Sequence, residues 1–589
     1  MKQFFKFMFA SMLGFGLSIF LLVVLFIAII AGIAGSMEDK KEVDVKDNSI
    51  LRITLNHPVQ ERTSKNPFEN INFGNNNEDG NPAIGLNDIL KSIHHAKKDD
   101  KIKGIFLDLS LVQSGMANAE EVRNALIDFK KSKKFIVAYG EIYTQGSYYL
   151  ASVADKIYLN PSGDMLFNGF SSTSLYMKSA LEKMGIQAQV IKHGKFKSAG
   201  ETFVEDKMSD ENRKQVEEFV GAMYKHFMEQ IAKARKKSIA EVYDMAENLK
   251  IQEPKDAKQL GMVDGLMYRD EVMGELRKRI GVKDDEKIKF INLGSYVTAV
   301  PKSEKAKEKI AVIYAVGDII SGQGDEETIG SDKFASALKK AREDKNVKAV
   351  VLRINSPGGS ALASDVIWRE VVLTKKEKPV IVSMGNVAAS GGYYIALAAD
   401  TIVAQPNTIT GSIGVIGVML NAQKLMNDKL GLHFDGVKFG KYSDLGRIDR
   451  PLNSDEEAIV QKAIDRIYVD FVTKVAGGRH MSYEAVDAIA QGRVWSGVDA
   501  QKIGLVDVLG GVETAIDIAA KKAGLKEYRI MGLPEQEDPI QNLIKSFGGV
   551  KENLLKEEMK ENYIYYKQMQ KALNCQGIQT RMPFELTIR

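Results

Sequence analysis

The feature that most constrains this chain is an internal duplication. Shifting the sequence by 245 residues against itself aligns two long stretches without gaps. Gly85 meets Gly330, Ala96 meets Ala341, Asp99 meets Asp344 and Lys103 meets Lys348. Further on, Ile136-Val137 meets Ile381-Val382, Gly140 meets Gly385, and Tyr148-Tyr149 meets Tyr393-Tyr394. Pro161 falls on Pro406 and Gly169 on Gly414. The register is lost afterwards and returns with a shift of 243, where Asp256-Ala257 meets Asp499-Ala500 and Gly261 meets Gly504. A period of about 240 residues is far longer than that of a solenoid, so one domain-sized fold is built twice.

Each copy alternates strand and helix patterns. Ile310–Tyr314, Ala349–Ile354 and Val380–Met384 are short, β-branched runs bounded by turn residues, the pattern of parallel strands buried on both faces. Between them, 333–343 and 365–373 repeat apolar residues every three or four positions, as amphipathic helices do. The expected class is α/β with parallel strands and right-handed crossovers. The expected organisation is a membrane anchor and linker over 1–46, a first repeat over 47–300, a second over 301–530 and a polar tail over 531–589. The tail reads as helical at 552–573 and is assigned no chemistry.

The N-terminus points to a membrane. No charged residue occurs from Phe7 to Met37, longer than the roughly 20 residues a spanning helix needs. Lys2 and Lys6 precede it, so the positive-inside rule puts the N-terminus in the cytoplasm and the repeats outside. A cleaved signal peptide is the rival, with small residues at Ala31–Ala34, but its apolar region spans only about 7–15 residues. A buried core helix fits a run of this length poorly.

Composition closes several other routes. Lys and Arg total 81 against 77 Asp and Glu, a balance that argues against a nucleic-acid binder. Cys575 is the sole cysteine, which excludes an intrachain disulfide framework and any cysteine-based metal cluster. The seven histidines form no HExxH, so a zincin-type metalloprotease is not expected.

Two strand-to-helix turns of the second copy could carry chemistry. In Asn355-Ser-Pro-Gly-Gly-Ser360, two glycines free the backbone and remove side chains that would block an approach to its N–H groups. That suits an anion or an oxyanion, and equally an ordinary tight turn. In Ala388-Ala-Ser390-Gly-Gly392, the serine sits among small residues, open to a carbonyl that the Gly391 N–H could also face. Close helix packing would tolerate the same residues. Comparing the copies weighs against packing alone. Ser390 corresponds to Gln145, and Gly358-Gly359 to Gln113-Ser114, while the surrounding Gly and Tyr-Tyr are kept. A serine hydroxyl needs a base, and Lys197 in the first copy falls on Ser443 of the second, in the matching Gly-Lys segments. Each copy has kept one member of a serine–lysine pair and lost the other.

Together these motifs resemble a known family. Asn355–Ser360, AASGGYY at 388–394, TGSIGV at 410–415, GKFKSA at 194–199 and VWSGVDAQKIGLVD at 494–507 are similar to the long, duplicated form of signal peptide peptidase A. The likeness runs from the anchor to about Gly524. NSPGG followed by a small-residue serine turn also resembles the Clp protease and crotonase relatives of this fold. The resemblance implies a Clp/crotonase-like unit in tandem and a serine protease whose dyad forms between repeats. Ser390 matches the nucleophile, Lys197 the base and Ser412 the hydroxyl that orients the amine. The N–H groups of Gly359, rather than Gly358, and Gly391 match the oxyanion hole. Gly200 departs from the family, where a bulkier residue is expected.

The implied substrates are remnant signal peptides and other apolar peptides, cut at the outer, periplasmic face of the cytoplasmic membrane by a homotetramer. No metal, cofactor or nucleic acid is called for. Three alternatives stay open: a crotonase-like acyl-CoA enzyme, a serine–histidine protease with His193 or His433 as base, and a membrane-tethered scaffold without catalysis.

Overall fold

The computed structural model describes residues 2–38, 43–64, 84–110, 112–301, 306–536 and 577–582. The duplication appears as two sheets with one strand order. The first runs Gly265–Leu266, Lys156–Met165, Phe135–Tyr143, Ile102–Asp108, Ser49–Ile53 and Phe290–Asn292, every neighbour parallel. The second repeats it with Val508–Leu509, Thr401–Ala404, Val380–Ala389, Val347–Ser356, Lys309–Val316 and Arg529–Leu533, again parallel. Ile409–Gly411 and Val494–Ser496 extend it beside the end of Val380–Ala389.

Hydrophobic runs account for the two-sided burial. Along Val347–Ser356, Val350, Leu352 and Ile354 face one core, while Ala349 and Val351 face a second under the other side. Helices cover these faces. Ser331–Glu343 buries Phe334, Ala337, Leu338 and Ala341 at helical spacing. Its counterpart Leu86–Lys98 buries Leu86, Ile89, Leu90, Ile93 and Ala96. Each such side chain contributes about 1.5–3 kcal/mol, less for alanine.

The repeats are joined by charge as well as by packing. Arg353, fully buried on the strand leading to the Gly-Gly turn, lies 2.7 Å from both Glu61 and Glu121 of the first repeat. Asn118 Oδ1 accepts from the same guanidinium at 3.1 Å. A buried cluster of this kind is costly to break by halves, because the survivor keeps an unpaired charge.

A third, mixed sheet spans both repeats. Its order is Thr328–Gly330, Asp318–Ile320, Gly358–Ser360, Gly577–Arg581, Val415–Asn421 and Gln187–His193. Gln187–His193 belongs to the first repeat and pairs antiparallel with Val415–Asn421 of the second over seven residues. That crossing brings the following segment, with Lys197, into the second repeat. The strand from the tail was not expected; the helix read at 552–573 lies outside the described residues.

At the N-terminus a helix runs Lys2–Glu38, and its stretch Gln3–Leu21 is long and apolar enough to cross a membrane. None of that stretch is buried against the rest of the chain, unlike a core helix. Phe4, Phe7, Leu13 and Phe15 are all exposed.

Candidate active site

Three turns at the C-terminal ends of second-repeat strands converge with one loop of the first repeat. After Val380–Ala389 the chain turns sharply at Ser390, whose φ of 56° and ψ of −112° are unusual for a residue with a side chain. Such a conformation costs about 1–3 kcal/mol and persists only where the surroundings enforce it. Ser390 N–H donates to the Gly411 carbonyl at 2.8 Å, and the helix Gly391–Ala396 starts immediately after. Side chains are excluded around it: a Cβ on Gly392 would lie 2.7 Å from the Ser356 carbonyl oxygen. The hydroxyl is thus presented at a strand-to-helix elbow.

The Gly-Gly turn follows Val347–Ser356. Gly358 N–H donates to Ser356 Oγ at 3.1 Å and is therefore occupied. A Cβ on Gly359 would lie 2.1 Å from the Ile319 carbonyl oxygen, so no other residue fits there without moving the backbone. Ser360 then caps the helix Ala361–Lys375, its Oγ accepting from Ala363 N–H at 3.3 Å. Of the two glycines, Gly358 is the one whose N–H is held within the turn, while Gly359 pairs with Ile319 and Thr580 of neighbouring strands.

Lys197 enters from the first repeat. Its Nζ lies 2.8 Å from Ser390 Oγ, 3.0 Å from Ser412 Oγ and 3.1 Å from the Ser412 carbonyl oxygen. The side chain is fully buried, and burial alone pushes its pKa well below the usual 10.5. Among the described residues no carboxylate opposes that shift. A neutral amine has two hydrogens and one lone pair. It can donate both to Ser412 and accept from the Ser390 hydroxyl, so all three contacts are satisfied without a charge. The stem is enclosed by backbone: a Cβ on Gly492 would lie 2.6 Å from Lys197 Cβ, and one on Gly414 3.1 Å from its Cδ.

The loop holding Lys197 is fixed from three sides. Phe196 N–H donates to the Gln491 carbonyl at 2.9 Å, and Gln215 Nε2 donates to the Phe196 carbonyl at 3.0 Å. Ser198 Oγ donates to Asn212 Oδ1 at 2.9 Å. Gly200, the departure from the expected motif, packs where a Cβ would meet Val190 at 2.5 Å and Ile416 at 2.8 Å. In the first repeat the position matching Ser390 is a clamp: Gln145 donates to the Gly169 carbonyl at 2.8 Å and accepts from Gly169 N–H at 3.0 Å. No hydroxyl is offered there. The alternative bases stand apart, since His193 Nδ1 is 2.7 Å from Asp465 with its ring stacked on Tyr468, and His433 is exposed.

Comparison with known proteins identifies the family. The sequence profile of Peptidase family S49 matches residues 128–283 and 373–526, two segments that begin 245 residues apart and end 243 apart. The chain belongs to peptidase family S49. It is a serine protease of that family, similar to the long duplicated members. The Clp protease profile matches residues 301–410, which include both second-repeat turns. Among relatives, the chloroplastic serine protease SPPA of Arabidopsis thaliana is 33% identical over 86% of this chain and 74% of its own. Protease 4 of Haemophilus influenzae is 37% identical over 74% of this chain and 72% of its own. Protease 4 of Salmonella typhi is 36% identical over 79% and 76%.

Within this S49 peptidase, all five residues singled out in the sequence meet at one place. Sequence reading missed three sets of neighbours. Gly414 and Gly492 wall the lysine, Gln215 and Asn212 hold its loop, and Thr580 of the tail is buried beside Gly391. The Gly414 match to Gly169 was visible in the duplication, but its role needed the lysine stem in view.

Proposed function

We propose that this chain hydrolyses peptide bonds with a Ser390–Lys197 dyad built between its repeats, through an acyl-enzyme. The observation that carries the reading is the 2.8 Å approach of a buried amine, free of any carboxylate, to a hydroxyl on a strained elbow. Lys197 Nζ takes the Ser390 proton as Oγ attacks the substrate carbonyl carbon. The negative oxygen that develops is held by the Gly359 and Gly391 N–H groups, where losing one donor costs about 10²–10³ in rate. Lys197 then protonates the departing amine, and the acyl-enzyme remains. In the second half Lys197 takes a proton from water as its oxygen attacks the ester carbonyl carbon, and returns that proton to Ser390 Oγ as the acyl C–O bond breaks. Ser412 positions the amine through its hydroxyl and carbonyl.

Remnant signal peptides and other apolar peptides are the proposed substrates. The relatives' names and the apolar helix at the N-terminus support this choice. In this reading the apolar part of the Lys2–Glu38 helix after Lys6 anchors the protein, with Lys2 and Lys6 inside and the repeats on the outer face of the cytoplasmic membrane. A homotetramer is part of the proposal. The exposed apolar side chains Leu430, Leu432, Phe434, Val437 and Phe439 support self-association.

The test is labelling by a fluorophosphonate together with turnover of an apolar peptide. Ser390→Ala and Lys197→Ala should each lose at least about 10³-fold in kcat, and His193→Ala and His433→Ala should retain activity. The reverse pattern moves the base to a histidine. Full activity in both dyad variants ends the proposal.

A further inference from the structure

The sheet that spans the repeats contains a strand no catalytic role explains. Gly577–Arg581 pairs antiparallel with Gly358–Ser360 on one side, Gly359 opposite Thr580. On the other it pairs antiparallel with Val415–Asn421, Ile416 opposite Gln579. Without it, that sheet falls into two halves separated by one strand's width, each edge showing unpaired backbone groups. One edge carries Gly359; the other follows directly on Ser412. An extended peptide adding itself to sheet edges is a common way for a protein to hold a peptide ligand.

The register puts this strand in the reacting position. Met582 N–H donates to the Pro357 carbonyl at 2.7 Å. In an antiparallel ladder hydrogen-bonded pairs recur at every second residue, so Gly359 and Thr580 form the next such pair, with Gly359 N–H on the Thr580 carbonyl. Thr580 Oγ1 also donates to the Gly359 carbonyl at 3.2 Å. A Cβ built on Gly358 would lie 2.2 Å from the Thr580 carbonyl oxygen and 2.7 Å from the Gly391 nitrogen, so oxygen and amide share one small space. The Thr580 carbonyl oxygen therefore lies close to the Gly391 nitrogen, beside the two amides assigned to the oxyanion.

The flanking side chains are seated too. Thr580 is fully buried, and Met582 packs among Val216, Phe219, Met223, Ala389, Ile409 and Val494. Arg581 pairs with Asp318 at 3.2 Å. With the strand in place Ser390 has no exposed surface. A nucleophile so covered reacts with another peptide only after the cover leaves.

We infer that residues 577–582 are an intramolecular occupant of the substrate strand, a brake that every peptide substrate must displace. The inference rests on the dyad reading for the identity of the site. Only the competent fraction of enzyme binds substrate, so apparent affinity falls by that fraction. A tethered strand at an effective concentration near ~1 mM, binding at ~0.1 mM, is bound about ten times over, and the apparent KM rises about tenfold.

The experiment compares the full chain with one ending at Gln576 and with full-length Thr580→Asp, which places a charge in the buried position without shortening the protein. Both should lower the KM for an apolar peptide about tenfold at similar kcat, and label with fluorophosphonate about tenfold faster. A synthetic Gly577–Met582 peptide should then inhibit the shortened enzyme competitively. A second readout needs no activity. In a Ser390→Ala background, hydrogen exchange at Gly358–Ser360 and Val415–Asn421 should speed up when the tail is removed. Unchanged KM and labelling in both variants, or unchanged exchange, overturns the brake. If full-length and shortened chains both fail to label or turn over, the dyad reading falls, and exchange alone decides the occupancy.

Discussion

Replacing Ser412 by alanine isolates what positions the lysine. The substitution removes the Oγ that lies 3.0 Å from Lys197 Nζ and leaves the Ser412 carbonyl at 3.1 Å and Ser390 Oγ at 2.8 Å. Ser412 sits at a φ of 49°, equally unusual for serine and alanine, so the backbone strain is unchanged. The lost contact is worth about 0.5–1.5 kcal/mol to a neutral amine and about 1.5–3 kcal/mol to the ammonium formed as Ser390 gives up its proton. The difference, about 1–1.5 kcal/mol, falls on the charged side of the reaction. Converted at 1.4 kcal/mol per tenfold, kcat should fall about 5- to 12-fold with KM little changed. The same imbalance makes the lysine easier to deprotonate, so the acidic limb of the pH–kcat profile should move to lower pH. Steady-state kinetics on an apolar peptide between pH 5 and 10 read both effects. A profile shifted to higher pH, or an unchanged kcat, would refute the idea that Ser412 holds the charged amine.

Three further outcomes follow from the same geometry. Gly359→Ala should reduce kcat by about 10²–10³, because its Cβ would lie 2.1 Å from the Ile319 carbonyl and must displace the donor; loss of under tenfold argues against that donor. Arg353→Met leaves Glu61 and Glu121 buried without their cation and should destabilise by about 3–5 kcal/mol in urea unfolding; under about 1 kcal/mol would mean the cluster holds the repeats together little. Burial lowers the Lys197 pKa, so between its folded value and 10.5 the unfolded chain binds more protons than the folded one. Wild-type stability should therefore climb with pH across that window by about 1.4 kcal/mol per pH unit and level off below the folded value, where both states carry the proton. Lys197→Met lacks this slope, and parallel stability curves for the two proteins at pH 8.5 and 9.5 would contradict a neutral lysine.

Much of the fold was written along the chain. Runs such as Ala349–Ile354 must be covered on both faces, and the 245-residue register carried one strand order into two sheets. The site was legible where the copies disagree: Gln145 against Ser390, and Lys197 against Ser443, mark positions that a shared scaffold does not require. Gly492 and Gln215 were not legible, because a glycine or glutamine in a loop has many local explanations. Only the neighbouring lysine stem gives them their part.

By itself, then, the amino-acid sequence determined the doubled α/β unit, the apolar helix at the start and the division of Ser390 and Lys197 between copies. These are matters of periodicity and of residue type, and both survive without coordinates. Tertiary structure alone decided that Gln187–His193 crosses into the other repeat's sheet and that the lysine is sealed from water. It also decided that a strand from the polar tail lies against the Gly-Gly turn. The reason is physical: strand pairing and desolvation arise between segments hundreds of residues apart, and nothing in Gly577–Arg581 read locally says which edge will receive it.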